Sequence, residues 1–429
     1  MVAVLVSTLI FLISLWLILS EKLNRTIVGI AGAATMVGLG RFIGFYSEEA
    51  AIAAVDFNTL GLLLGMMILV ALLEPTGFFE FLAVWAGRLS QGRPLWLLIL
   101  LGLVTTVLSM FLDNVTTVVL IAPVTILISE VLGISSTPLL ITEALLSNTG
   151  GVATLMGDPP NILIASAAGL SFNDFLTHAL PIVTVVWLIS VLLLCYLFRS
   201  DLTVNPSNVE AMLRLSPSQT LKDSATAWRT LAMLGAAILV FFLEDFLDLY
   251  PAFIALSAAG AALVWVRPNV QQMLQRIEWS VLLFFAALFM MVGGLEAAGV
   301  LSHLASLLAV AKGMPPVLFG IALLWVVALL SAVVDNVPIT IALIPVVKSL
   351  GTTGMAIGPL WWALAFGAGF GGNGTIIGAT ANIVVTSLSE RTRTPITAKL
   401  WNRKGLPVML VTCIVASILY ALAYPLLAR

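Results

Sequence analysis

Asp113-Asn114 and Asp335-Asn336 each stand in the middle of a long apolar stretch. Asp113 is the only ionisable residue between Pro94 and Glu130, and Asp335 is the only one between Lys312 and Lys348. A carboxylate in such surroundings can take a proton or a cation, and the amide beside it can donate and accept hydrogen bonds. Two further stretches interrupt apolar segments. The first is Ser147-Asn148-Thr149-Gly150-Gly151 followed by Gly157-Asp158-Pro159-Pro160-Asn161. The second is Gly369-Phe370-Gly371-Gly372-Asn373-Gly374-Thr375 followed by Gly378-Ala379-Thr380-Ala381-Asn382. Gly and Pro at this density break a helix and free backbone amides and carbonyls, which a bilayer tolerates only where they line a cavity. Half-helix ends there can hold an anion at amides or a cation at carbonyls.

The elements that must position these residues are membrane spans. Of 429 residues, 61% are hydrophobic and 9% are charged, against roughly a quarter charged in soluble domains. Mean hydropathy is +1.13. No polar stretch is long enough for a separate soluble domain, and the net charge of −2, without a basic tail, gives no sign of nucleic-acid binding. A soluble enzyme core is excluded. Val2 to Ser20 has no positive residue before it and no small-residue cleavage site after it, so it is expected to be a retained first span. Cys195 and Cys413 are isolated apolar fillers, giving no disulfide, metal site or cofactor.

The chain is a duplication. A shift of 222 positions places Glu74, Gly77, Leu82 and Ala83 on Glu296, Gly299, Leu304 and Ala305, and Pro94 on Pro316. It also places Asp113-Asn114-Val115 on Asp335-Asn336-Val337, and Pro123-Val124 on Pro345-Val346. After a one-residue adjustment Gly157 and Asn161 meet Gly378 and Asn382. The expected division is a first repeat, 1–200, a linker, 201–227, and a second repeat, 228–429. The polar stretch Arg199 to Arg229 holds the linker, with a short surface helix at 209–215.

Each half then reads as three spans (2–20, 25–43, 56–74; 228–245, 250–266, 278–296) and a weakly amphipathic stretch (77–91; 299–313). An acid-centred block follows (95–129; 315–347), then a glycine-interrupted span (138–166; 356–388) and a last span (179–198; 407–427). Each acid divides its block into arms of about 16 residues, roughly 24 Å of helix, which is short for a crossing and suits a re-entrant hairpin with its tip at the acid. Five crossings per half invert the second repeat relative to the first. With the N-terminus periplasmic, fifteen of the 19 Lys and Arg face the cytoplasm, and only Arg41, Lys312, Lys348 and Arg429 lie outside. The expected fold is therefore an all-α polytopic membrane protein of two inverted repeats. It has about ten transmembrane helices, two re-entrant hairpins and helices broken at the midplane.

Other polar residues read more simply. Thr105, Thr106 and Ser109 are helix glue. Glu74 and Glu296 reach the interface, with gating as a lesser alternative, and His178 and His303 sit solvated in external loops. Gly61-x-x-x-Gly65 is a helix-packing motif, and the eleven tryptophans anchor the interfaces.

At the hairpin tips and at Gly157-Asp158-Pro159-Pro160-Asn161 the sequence resembles the ion transporter superfamily. That group includes arsenite efflux pumps, NhaD-type sodium–proton antiporters, the P protein and the sodium–dicarboxylate transporters. The resemblance runs along nearly the whole chain. It implies a transport domain of hairpins and broken helices moving against a scaffold as an elevator, often in a dimer. In the dicarboxylate branch the tips read Ser-Asn-Thr; here both are Asp-Asn-Val, whose fixed charges would repel a dianion and favour proton or sodium coupling. Length and layout suit the arsenite pumps, which implies arsenical resistance and association with a cytoplasmic ATPase subunit. The Asp-first order at both tips is closer to the NhaD and P-protein branches.

The expected function is proton-coupled efflux of arsenite or antimonite across the bacterial inner membrane, with NhaD-type Na⁺/H⁺ exchange as the alternative. Asp113 and Asp335 would alternate between protonated and ionised or cation-bound states, with Asp158, which faces Ala379 across the repeat, as a further titrating group. Asn114, Thr116, Thr117, Asn148, Thr149, Asn161, Asn336, Asn373, Thr375 and Asn382 would hold the solute by hydrogen bonds, which an uncharged trihydroxide can accept without thiolates. An intramembrane aspartyl protease is the remote alternative, weakened because neither acid lies in a Gly-x-Gly-Asp context. A channel is the remaining rival.

Overall fold

Apolar runs punctuated by Pro at the first turn and Gly past the last give helices throughout the computed structural model, which describes residues 1–19, 23–300, 314–352 and 354–428. No strand occurs among the described residues. The first half holds α1 (Val2–Leu19), α2 (Arg25–Ile43), α3 (Phe57–Leu73), α4 (Phe78–Leu89), α5 (Pro94–Ser109), α6 (Asn114–Leu132), α7 (Thr137–Gly151), α8 (Pro159–Ala168) and α9 (Leu180–Leu197). The second holds α10 (Ser224–Phe242), α11 (Pro251–Val266), α12 (Trp279–Ala297), α13 (Pro316–Ser331), α14 (Asn336–Thr352), α15 (Gly358–Gly371), α16 (Thr380–Ser389) and α17 (Ala398–Leu427). Among the described residues, seven segments are long and apolar enough to cross a bilayer. Taking α7–α8 and α15–α16 as one broken passage each, and α5–α6 and α13–α14 as re-entrant hairpins, gives five passages per half. This is the expected fold class.

The helices sort into two bundles that touch each other sparsely. α1, α2 and α3 pack with α10, α11 and α12, while α4 to α9 pack with α13 to α17. The duplication is visible in the pairings: α2 packs on α12 as α11 packs on α3, and α5 on α7 as α13 on α15. Each broken helix reaches across, so that α8 packs on α14 and α16 on α6. Mates run in opposite directions. Arg276, just before α12, meets Glu74, just after its mate α3, at 2.8 Å. Asn58 at the start of α3 accepts the Ala252 amide at the start of α11, so those two are parallel.

Gly61 and Gly65 make that α3–α11 crossing. A Cβ on Gly65 would lie 2.6 Å from the Ala255 backbone carbon, and one on Gly61 would lie 2.8 Å from the Ala252 methyl. Bare glycine edges let the two backbones approach, the use expected of this motif.

Several boundaries differ from the expectation. α6 has 19 residues and carries Pro123 inside it, so the second arm of the first hairpin is longer than its partner's 16. α17 begins at Ala398, nine residues before 407, because its first turns carry Lys399 and Arg403 on an exposed face while Trp401 is buried and Lys404 donates to the Leu197 carbonyl. His178 is not a solvated loop residue: it lies in a π-turn, 175–179, that leads into α9, and stacks on Trp362 at 5.3 Å. Trp361, Trp362 and Trp401 are buried and so are not interfacial anchors. The linker is strapped down, with its Val209–Arg214 helix burying Met212 and the Ser207 and Lys222 amides donating to Leu132 and Thr76 carbonyls. Of the second amphipathic stretch, 299–313, residues 301–313 with His303, Leu304, Ala305 and Lys312 lie outside the described residues, as do Lys22 and Arg429.

Gly65→Leu is expected to lower the melting temperature of the purified protein in detergent, since overpacking costs about 1–3 kcal/mol. Gly38→Leu is the control: nothing lies within 4 Å of its added Cβ, so its melting temperature should not fall.

Candidate functional site

Four helix starts meet between the two bundles, and the residues at those starts line one cavity of about 190 Å³. That is below the roughly 300–1,000 Å³ of drug-sized pockets and suits a small solute. The tip of the first hairpin supplies Asp113, Asn114 and Thr116, and the tip of the second supplies Asp335 and Asn336. The breaks supply Asp158 before α8 and Thr380 at the start of α16. The first bundle closes the other side with Met66, Met67 and Val70 of α3, and Val281, Phe284 and Phe285 of α12.

The three aspartates are held differently. Asp113 caps α6: one oxygen accepts the Thr116 amide at 2.8 Å and the other the Thr116 hydroxyl at 2.5 Å. Asp335 accepts the Val337 amide at 3.1 Å and the Thr380 hydroxyl at 2.5 Å. Its second oxygen also stands 3.9 Å from the guanidinium of Arg25, at the start of α2 in the other bundle. Arg25 in turn lies over the Phe284 ring. Asp158 is 1% exposed. One of its oxygens accepts the Asn336 amide at 2.9 Å, and the other has no partner. Helix starts carry positive partial charge, which is how carboxylates are tolerated here.

The remaining asparagines form the frame. Asn148 is the hub: its oxygen accepts from Asn114 at 2.9 Å, and its amide donates to Asn373 at 3.0 Å and Asn382 at 2.9 Å. Asn373 donates to the Thr149 hydroxyl and the Leu145 carbonyl. Asn161 donates to the Gly151 and Thr154 carbonyls, and Asn382 to those of Gly372 and Thr375, so each pins its own break in the same way. Thr154 and Thr375 close the pattern by donating to the Met110 and Ala332 carbonyls at the hairpin tips. Gly157 and Gly378 let tip and break meet, since a Cβ there would stand 2.5 Å from the Ser109 oxygen and 2.9 Å from the Ser331 oxygen. Ser109 bonds the Ser147 carbonyl of α7 and Thr106 accepts from Trp187 of α9, as glue would, whereas Thr105 only bonds back to Leu101 in its own helix.

Of the thirteen expected residues, Asp113, Asn114, Thr116, Asp158, Asp335 and Asn336 line the cavity. Asn148, Thr149, Asn161, Asn373, Thr375 and Asn382 stand behind it. Thr117 is fully buried with its hydroxyl unpartnered and does not reach the cavity. Sequence reasoning missed Thr380, whose place opening α16 was a usable signal. It also missed Arg25, Glu278 and Arg276 at the cavity mouth, because charges at span ends look interfacial; Glu74 joins them there, paired with Arg276. Glu143, fully buried in α7 and bonded by Thr125, was overlooked although the rule that picked out Asp113 applies to it.

The mouth and its opposite end differ. The cavity opens past Arg25, Glu74, Arg276 and Glu278, while at the other end the bundles are joined. There Ser166 of α8 donates to Asp56, the cap of α3, and Asp245 accepts from Ser171 and Asn173. Glu244 accepts the Phe172 amide. Burial, with Asp245 and Asp174 close by, pushes the Glu244 carboxyl up to about 7. No cluster of three or more His, Cys, Asp or Glu suited to a metal ion occurs among the described residues.

A family profile described as citrate transporter, CitMHS, matches residues 15–367. The 46 kDa membrane protein of Mycobacterium leprae is 39% identical over 425 residues, covering 97% of each chain. An uncharacterized transporter of Mycobacterium tuberculosis is 40% identical over 419 residues, covering 95% of this chain and 96% of that one. The human P protein is 33% identical, with 93% of this chain covering 57% of its length. Among solved structures, the YdaH transporter of Alcanivorax borkumensis superposes with a TM-score of 0.63 at 16% identity, over 97% of this chain and 98% of that one. That likeness is one of fold.

Asn148→Leu is expected to unfold at lower urea concentration than the parent. It strands the Asn114 amide and the Asn373 and Asn382 oxygens in the interior, at about 1–3 kcal/mol for each unsatisfied group.

Proposed function

The chain belongs to the CitMHS citrate-transporter family of secondary transporters, and we propose that it exchanges protons for a small monovalent cation by alternating access. The observation that carries this is the charge lining the cavity. Arg25 offsets Asp335 and stands near Glu278, and Arg276 offsets Glu74, which leaves Asp113 and Asp158 without a basic partner. Carboxylates in excess attract a cation or protons and repel a tricarboxylate, so the family's description does not carry over as cargo. Sodium is the cation we assign, competing with protons at Asp113 and at the unpartnered oxygen of Asp158.

In this reading the half of the chain with the hairpins and broken helices is the moving part, and α1–α3 with α10–α12 the scaffold. The domain division is 1–200 and 228–429 across a cytoplasmic linker, 201–227. With both termini periplasmic in a bacterial inner membrane, the Arg25 end is cytoplasmic and the cavity faces inward. Asp335 is tethered to the scaffold by Arg25, so it leaves this state once a proton or cation replaces the arginine. Asp113 has no such tether, because α11, the mate of α2, opens with Pro251 where α2 opens with Arg25. The two repeat-related acids therefore take different parts: Asp113 receives cargo and Asp335 links its charge to movement.

Proton-coupled efflux of arsenite or antimonite is the second reading. The hydroxyls of Thr116 and Thr380 and the amides of Asn114 and Asn336 on the cavity wall favour it, being able to hold an uncharged trihydroxide.

Everted vesicles loaded with a quenched pH probe should dequench on addition of sodium, with no uptake of arsenite. Asp113→Asn and Asp335→Asn should reduce the response to that of vesicles lacking the protein, at unchanged protein level. Arsenite accumulation without a sodium response would overturn the cation assignment, and full activity of both variants would overturn the site. Arg25→Gln should lower the apparent KM for sodium roughly fivefold, since removing a positive charge at 3.9 Å under water-like screening is worth about 1 kcal/mol. An unchanged KM would argue against the tether.

A further inference from the structure

The end of the molecule opposite Arg25 is closed by a hydrogen bond from Ser166 of α8 in the moving bundle to Asp56 of the scaffold. Both residues have mates. Shifted by 222, Asp56 becomes Glu278, the residue before α12 as Asp56 is the residue before α3. Shifted by 221, Ser166 becomes Ser387, and each is the eighth residue of its helix, α8 or α16. The donor and acceptor types survive the shift: a hydroxyl and a carboxylate at equivalent places.

In the present conformation only one of the two pairs is made. Asp56 also accepts the Asn58 and Thr59 amides and caps α3. Glu278 makes no capping bond to α12, is exposed, and lines the open mouth; Ser387 is exposed as well. The packing agrees, since α8 lies on α3, whereas α12 and the start of α16 both face the cavity. The other polar links at the closed end have no such mates. The same shift places Glu244 on Lys22 and Asp245 on Leu23, neither of which accepts a hydrogen bond through its side chain.

We propose that Ser387 donates to Glu278 in the opposite conformation, closing the Arg25 end of the cavity as Ser166 and Asp56 now close the other. The inference rests on the alternating-access reading above and adds to it the residues that hold the second state. Glu278 and Ser387 are positioning residues that set which end is shut, Glu278 from the mouth of the cavity. Two bonds of one chemical type, made in turn, keep the two end states close in energy, as a carrier that must return requires.

Cysteine pairs test this in the full chain with Cys195 and Cys413 replaced by serine. Asp56→Cys with Ser166→Cys, and Glu278→Cys with Ser387→Cys, are treated with a short thiol crosslinker in vesicles under an imposed proton gradient of either sign. The expected result is reciprocal: reversing the gradient raises one yield as it lowers the other, and each crosslink blocks transport until it is reduced. If the first pair responds to the gradient and the second never crosslinks, the Glu278–Ser387 contact is wrong. If transport proceeds while the first pair's yield stays constant, alternating access itself is wrong. Should the second pair fail to insert, Ser387→Ala is added to the first pair. Losing the donor should raise crosslinking between positions 56 and 166, and an unchanged yield overturns the proposal.

Discussion

A carboxylate inside a bilayer needs donors of its own, and the architecture of this protein follows from supplying them to three at once. Asp113 and Asp335 sit at helix starts, where free amides and the helix field lower the cost of charge, while Asp158 precedes Pro159 and Pro160, which have no N–H, and takes the Asn336 side-chain amide instead. A helix start at membrane depth requires a re-entrant tip or a broken span, because a plain crossing has its ends in water. The hairpins and breaks are thus what the acids require, and the asparagine frame around Asn148 is what the breaks require. Asn161 and Asn382 occupy the carbonyls that each break exposes.

In the proposed cycle the two bundles divide the work of holding and moving. Within each bundle the contacts are close, with glycine edges at the α3–α11 crossing and staples from hairpin to break. Between bundles they are fewer: apolar side chains of α1 and α12 (Phe11, Leu15, Ile18, Leu288, Met291) pack on Pro338 and Ile341 of α14, and the polar links gather mostly at one end. In the proposed cycle it is this interface that is exchanged. The duplication provides the alternative, because each contact made at one end has its mate at the other wherever the residue types were kept.

Departures from symmetry carry the functional distinctions. Asp158 faces Ala379 across the repeat, so one break brings an acid to the cavity and the other brings only backbone and Thr380. Arg25 opens α2 where Pro251 opens its mate α11, so one tip acid has an arginine tether and the other does not. Asn336 cannot copy the bond from Asn114 to Asn148, because glycine or phenylalanine stands at the corresponding place, and it turns to Asp158 instead. A perfectly symmetric carrier would have two equal sites; this one has a single cavity with unequal acids.

The sequence by itself determined the membrane class, the 222-residue repeat, the tips at Asp113 and Asp335, and the two breaks. These are signalled locally: an acid alone in an apolar run, or glycine and proline dense within a span, is legible without knowing what lies opposite. Only the tertiary structure decided which polar residues face the cavity and which serve the frame. Asn114 and Asn148 look alike in sequence, yet one lines the cavity and the other is enclosed by three asparagines. The place of Arg25 beside Asp335, 310 residues away in the chain, was equally out of reach. A hydrogen bond or an ion pair is a relation between two positions, and residue type and spacing constrain such a pair only where both members lie on one helix or in one repeat.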